Sequence, residues 1–178
     1  VGVLFVFWGL VFGATNTHPA SLELALALVG TVCLMAVFVS DFLYQEIPLQ
    51  MTVWPAGILF VWQWIFELAS PISLFLGVIV AAGFFFLQYI VSKGRWIGGG
   101  DVYLGVLMGV LLGWPNVLLA LMLDYVGGAV WSVALIGLKK QNLKGQTAFG
   151  TYLVLSTFVT MVWGAKIIGW YLHLISGV

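Results

Sequence analysis

Charged side chains are scarce in this chain of 178 residues. Aspartate, glutamate, lysine and arginine together make up 7% of the sequence, whereas a soluble domain carries about a quarter. Hydrophobic residues make up 63%. A surface with so little charge would not stay dissolved in water, so the composition predicts a protein whose solvent is lipid.

Cysteine and histidine are nearly absent as well. The single cysteine, Cys33, lies in an apolar run, and the two histidines are His18 and His173. One cysteine allows neither an internal disulfide nor a cysteine-based zinc site. The net charge of zero argues against a nucleic-acid partner. We therefore expect no metal, no cofactor and no nucleic acid, and a surface in contact with membrane lipid.

Apolar segments separated by short polar stretches fill the rest of the sequence. Most are long enough to cross a hydrocarbon core of about 30 Å as a helix. The sequence predicts an all-α fold, a polytopic membrane helix bundle of about seven transmembrane segments in one domain spanning 1–178. The segments are 1–14, 20–41, 50–68, 72–93, 101–113, 115–138 and 148–175.

The few basic residues predict how the bundle lies in the membrane. Five of the six fall in two loops, 92–100 and 139–146, which two segments separate. Both loops therefore face one side, which the positive-inside rule makes the cytoplasm. By the same count Asp41 closes the second segment and Asp101 opens the fifth, so both lie at the cytoplasmic membrane border.

The aspartates are the first candidates for chemistry, because ionisable groups in membrane segments are costly and often functional. There are three, Asp41, Asp101 and Asp124. Asp41 and Asp101 could also be polar caps at helix ends, and Asp101 at a helix start would suit the macrodipole. Three glycines, Gly98, Gly99 and Gly100, precede Asp101. Glycine lets an extended substrate backbone approach a carboxylate, and it also allows close helix packing in lipid.

Three motifs occur in order along the chain. They are Asp-x5-Ile-Pro from Asp41 to Ile47 and Pro48, Gly-x-Gly-Asp from Gly98 to Asp101, and the Phe149-Gly150 step. In this combination the sequence resembles the type IV prepilin peptidases, which are membrane aspartyl proteases of the Gly-x-Gly-Asp kind.

The resemblance implies a function and a set of residues. Asp41 and Asp101 would be the catalytic pair. The site would be lined by the residues of the three motifs, namely Ile47, Pro48, Gly98, Gly99, Gly100, Phe149 and Gly150. The substrate would be a type IV prepilin or pseudopilin, cut after its short basic leader at the cytoplasmic border of a bacterial inner membrane.

The sequence also departs from the family pattern. Tyr103 stands where the family usually has lysine, and Thr151 where it often has proline. We expect this sequence to lack the N-terminal helix and the cytoplasmic domain with paired Cys-x-x-Cys of longer relatives, which are linked to N-methylation. It would then be either a fragment of a two-activity protein or a short, peptidase-only form. We therefore expect a peptidase domain and find no argument for methyltransferase activity.

Two further charges need an account. Counted along their helices, Asp124 and Lys166 lie at similar depth, each ~12–13 Å from the outer end of its segment. An unpaired charge there would be expensive, so we expect a structural ion pair. Glu46, close to Asp41 in sequence, is expected to be a solvated loop residue.

Other functions remain open at this point. A presenilin-like or signal-peptide-peptidase-like protease shares Gly-x-Gly-Asp, although Ser40 precedes Asp41 where that group usually has tyrosine. A proton-coupled transporter would use Asp41, Asp101 and Asp124 as a relay, and predicts carboxylates spread through the membrane depth. A structural assembly subunit would tolerate loss of both candidate carboxylates.

Overall fold

The computed structural model describes residues 20–137 and 149–176, and within these ranges the chain forms six α-helices and no strand. The helices are α1 (Ala20–Tyr44), α2 (Leu49–Ile65), α3 (Pro71–Ser92), α4 (Gly99–Leu112), α5 (Asn116–Gly137) and α6 (Phe149–Ser176). The predicted all-α fold is confirmed for this part of the chain. The predicted first segment, 1–14, lies outside the described residues, as does the basic loop 139–146.

Three of the described helices are long and apolar enough to cross a membrane, judged by length and composition. They comprise Ser21–Tyr44, Pro71–Ser92 and Phe149–Leu174. Gly99–Leu112 and Asn116–Val130 are apolar but shorter. The structure thus supports helices of membrane-spanning length without confirming a count of seven.

A short turn, 45–48, joins α1 to α2. Helix α1 ends at Tyr44, and Gln45 takes a left-handed conformation with φ of 53°. Pro48 is the residue that precedes α2, with extended ψ of 135°. Proline fits before the helix because its ring fixes φ and its missing N–H is not needed for the hydrogen bonds of α2.

Helices α3 and α4 pack backbone against backbone through glycines. A Cβ on Gly109 of α4 would lie 2.5 Å from the Cα and N atoms of Val78 in α3, and one on Gly105 would lie 3.1 Å from backbone atoms of Ala82. Glycine is therefore required at Gly109, since real Cβ atoms do not come so close to backbone. Small residues permit such approach in lipid, where van der Waals packing drives helix association.

Helix α4 lies at the centre of the bundle. Leu104, Leu107 and Met108 are fully buried, and α4 contacts α2, α3, α5 and α6. The side-chain nitrogen Nε2 of Gln63 in α2 donates to the carbonyl of Val110, at 2.9 Å, in this buried environment. Asp101 is thus carried by the most enclosed helix among the described ones, which fixes its backbone.

Candidate active site

Asp41 lies in the last turn of α1 and is held from α6. Its side chain is 5% exposed. The hydroxyl of Thr151 donates to Asp41 Oδ2 at 2.9 Å. The preceding residue, Gly150, packs so closely that a Cβ there would lie 2.9 Å from Asp41 Cγ and Oδ2. The carboxyl group is therefore fixed against the start of α6.

Asp101 is the third residue of α4, where its side chain caps its own helix. The backbone N–H of Gly98 donates to Asp101 Oδ2 at 3.0 Å, and the Asp101 N–H donates back to the Gly98 carbonyl at 3.2 Å. The side chain is 6% exposed. This contact explains how a carboxylate suits a helix start, as the macrodipole argument anticipates.

The two carboxyl groups face one cavity of about 390 Å³. Asp41 and Asp101 are close enough for their charges to interact. The cavity thus brings together two aspartates that are distant in sequence and five of the predicted lining residues. Its lining consists of Asp41, Gln45, Glu46, Ile47, Pro48, Gly98, Gly99, Gly100 and Asp101.

Phe149 and Gly150 are not among the residues that line this cavity, although Gly150 packs against Asp41 and Ile47, which do. The Phe149 ring packs edge-on against Phe85 and Tyr125, with ring centroids 6.1 and 5.8 Å away. Gly150 backs Asp41, as described. The Phe-Gly step therefore supports a carboxylate through close packing, which its position in sequence did not show.

Sequence reasoning missed three residues of the site: Gln45, Glu46 and Thr151. Glu46 is exposed, as expected, but also lines the cavity. The hydroxyl of Ser40 donates to the backbone carbonyl of Glu46 at 2.8 Å, which ties the loop to α1. The signal for Thr151 was its departure from the family pattern, because threonine brings a hydroxyl where proline has none.

The predicted ion pair between Asp124 and Lys166 does not form a hydrogen bond. Asp124 is 1% exposed, and neither carboxyl oxygen has a hydrogen-bond partner among the described residues. Lys166 is exposed and lines a surface cavity with Trp163 and Trp170. Similar depth along the two helices does not bring the side chains together, because Asp124 is enclosed in the bundle and Lys166 is on the outer face of α6.

Asp124 lies instead near Asp101. The two residues interact electrostatically. Helix geometry agrees, because Asp124 is ~12 Å along α5 from Asn116 and Asp101 is ~16 Å along α4 from Leu112. The short turn between the two helices then puts both carboxyls at nearly the same level.

Among the described residues, no group of three or more His, Cys, Asp or Glu side chains is placed to hold a metal ion. The arrangement that the structure does provide is a pair of buried carboxyl groups facing a cavity. Such a pair can share a proton and activate water, which is acid–base chemistry.

Comparison with known proteins agrees with these motifs. A model of the type IV leader peptidase family matches residues 28–133. A prepilin leader peptidase/N-methyltransferase of Legionella pneumophila is 30% identical over 165 residues, covering 85% of this chain and 54% of the relative. One of Bacillus subtilis is 28% identical over 176 residues, covering 98% of this chain and 67% of the relative.

The chain thus spans about half the length of the Legionella relative. No solved structure matches the present chain. The family model covers both aspartates and the glycine run, more than half of the chain in all. The chain belongs to the type IV leader peptidase family.

Proposed function

We propose that this chain is an aspartic-type endopeptidase that removes the short basic leader from a type IV prepilin or pseudopilin. Asp41 and Asp101 are the catalytic pair. The observation that carries the proposal is their shared cavity, which two separate helices build and which bare glycine backbone borders. The names of the relatives, prepilin leader peptidase/N-methyltransferase, supply the substrate class.

The cavity suits an extended peptide beside two carboxyl groups. Gly98 and Gly99 line it without side chains, and Ile47 and Pro48 give it an apolar edge. A peptide backbone entering past the glycines can come within hydrogen-bonding distance of a carboxyl oxygen. Because Asp41 and Asp101 are at helix ends, the bond to be cut would lie where the substrate's apolar helix meets its polar leader.

In the proposed mechanism the pair holds one proton, because two adjacent carboxylates do not easily both ionise. The ionised member takes a proton from water, and the water oxygen bonds to the peptide carbonyl carbon. The protonated member gives its proton to the carbonyl oxygen. In the second step the C–N bond breaks. The addition product carries two hydroxyl groups on the former carbonyl carbon. The amine nitrogen takes a proton from the aspartate pair, and one of these hydroxyl groups gives a proton back to the pair. The pair therefore again holds one proton.

We also propose how the protein lies in the membrane. About seven segments would cross the bacterial inner membrane, with the cavity open to the cytoplasm. Lys93 and Arg95 lie in the loop that leads into Gly98, so the basic loop is at the same end as the cavity. Basic loops favour the cytoplasmic side. The proposal is limited to peptide cleavage, since no argument for methyl transfer follows from the described residues.

Cleavage of a full-length prepilin by the protein in lipid tests the proposal. We expect the parent to release the leader, and Asp41→Asn and Asp101→Asn each to lower the cleavage rate about a hundredfold or more, because acid–base chemistry is lost. Glu67→Gln is the matched control, since Glu67 is an exposed acid at the opposite end of α2.

Folding of each variant is checked by helical circular dichroism and thermal unfolding in the same lipid. A folded Asp41→Asn or Asp101→Asn protein that cuts at the parent rate would show that the pair is not catalytic. Failure of the parent to cut any prepilin would remove the proposed activity altogether.

A further inference from the structure

The two aspartates of the cavity differ in what holds them. Asp101 receives its hydrogen bond from the backbone of its own helix start, at Gly98. Asp41 receives its bond from a side chain on another helix, the Thr151 hydroxyl of α6. This hydroxyl is the only donor to Asp41 side-chain oxygens among the described residues. The orientation of the Asp41 carboxyl therefore depends on one side chain.

Thr151 makes an unusual use of its hydroxyl. The hydroxyl of Thr160 has no hydrogen-bond partner among the described residues. Thr31 and Thr157 each donate to a carbonyl of their own helix, Thr31 to Ala27 at 2.7 Å and Thr157 to Leu153 at 2.6 Å. That local bond is the common choice for helical threonine. Thr151 lies in the first turn of α6, where it reaches across to α1 instead.

The same contact decides which carboxyl oxygen remains for chemistry. Thr151 bonds Oδ2, and the backbone at Gly150 closes the space beside that oxygen, where a Cβ would lie 2.9 Å away. Oδ1 receives no hydrogen bond from the described residues, while Asp41 lines the cavity. Oδ1 is thus the oxygen that can meet a water molecule.

We propose that Thr151 is a positioning residue for peptide cleavage. Its hydroxyl fixes Asp41 Oδ2 and so directs Oδ1 to take the proton of the attacking water. The inference rests on the proposed function, because it assigns a part in that reaction. Proline, which the family pattern often places here, has no donor, so this chain uses a side-chain contact of its own.

Two variants at this position separate the hydroxyl from the methyl group. Thr151→Val keeps the shape and removes the donor, whereas Thr151→Ser keeps the donor and removes the methyl. With prepilin in lipid, we expect Thr151→Val to lower kcat about tenfold to a hundredfold with little change in KM, because the contact orients a charged group rather than binding substrate. Thr151→Ser should keep most of the parent kcat. If Thr151→Val does not fold, Thr151→Ala takes its place.

Thr157→Val is the matched control. Thr157 is a second threonine of α6, ~9 Å further along the helix. It is buried, whereas Thr151 is partly buried, and its hydroxyl bonds only a carbonyl of its own helix. We expect this variant to keep the parent kcat. A general effect of removing a hydroxyl from α6 would lower kcat in Thr157→Val as well, and would overturn the proposal.

The ranking of the variants by cleavage rate decides whether Thr151 positions Asp41 or only packs against its surroundings. If Thr151→Val cuts like the parent while Thr151→Ser is slow, the methyl group matters and the hydroxyl does not, so the proposal fails while the peptidase function stands. Equal rates for parent, valine and serine variants also overturn it. A parent that cuts no prepilin overturns the proposed function first, and the role of Thr151 with it.

Discussion

Within the glycine run, two neighbouring glycines serve different purposes. A Cβ on Gly100 would lie 2.8 Å from the Cβ of Ile47, so this glycine lets α4 begin against the loop after α1. A Cβ on Gly99 would meet no atom within 4 Å, although Gly99 lines the cavity. Gly100 is thus explained by protein packing, whereas no protein atom near Gly99 requires glycine there.

This difference gives a prediction for single residues. Gly99→Ala should fold like the parent and raise the KM for prepilin about tenfold, because the added methyl occupies space for the substrate backbone. Gly100→Ala should instead lower the unfolding temperature, since Ile47 must move. Steady-state cleavage and thermal unfolding in lipid measure both. An unchanged KM in Gly99→Ala would mean that substrate does not approach this glycine.

At the scale of helices, the contact between α3 and α4 determines where Asp101 lies. Gly109→Ala would push a methyl group against the Val78 backbone, and neither backbone can yield cheaply. We expect a loss of about 1–3 kcal/mol in unfolding free energy, the usual cost of overpacking. Gly83→Ala on α3 is the control, because nothing lies within 4 Å of that position.

Thermal or denaturant unfolding in a fixed lipid composition would compare the two variants. Gly83→Ala should be neutral or more stable by up to about 1 kcal/mol, since alanine favours helix over glycine. Equal stability of Gly109→Ala and the parent would contradict the close packing of α3 on α4.

Helix positions were predictable from sequence because long apolar runs and polar breaks mark them directly. The six described helices follow the predicted segments, and Asp41 and Asp101 fall at the same end of the bundle. The rotation of each helix was not predictable, because apolar residues surround these helices on all sides. This is why depth alone could not show that Asp124 is buried in the bundle while Lys166 is exposed.

At the scale of the whole molecule, the orientation in the membrane is open to direct test. Glu46 and Glu67 are exposed in loops at opposite ends of α2, a helix of 17 residues that spans ~25 Å. In a Cys33→Ala background, cysteine replacing Glu46 should react with an impermeant maleimide only from the cytoplasmic side. Cysteine replacing Glu67 should react only from the outer side. Labelling of both from one side would exclude the proposed arrangement.

The bond from Thr151 to Asp41 couples α1 to α6, and the glycine contact at Gly109 couples α4 to α3. Asp41 is thus tied to one neighbouring helix and Asp101 is carried by a helix packed on another. We expect the separation of the two carboxyl groups to depend on how α1 and α6 are placed against α3 and α4.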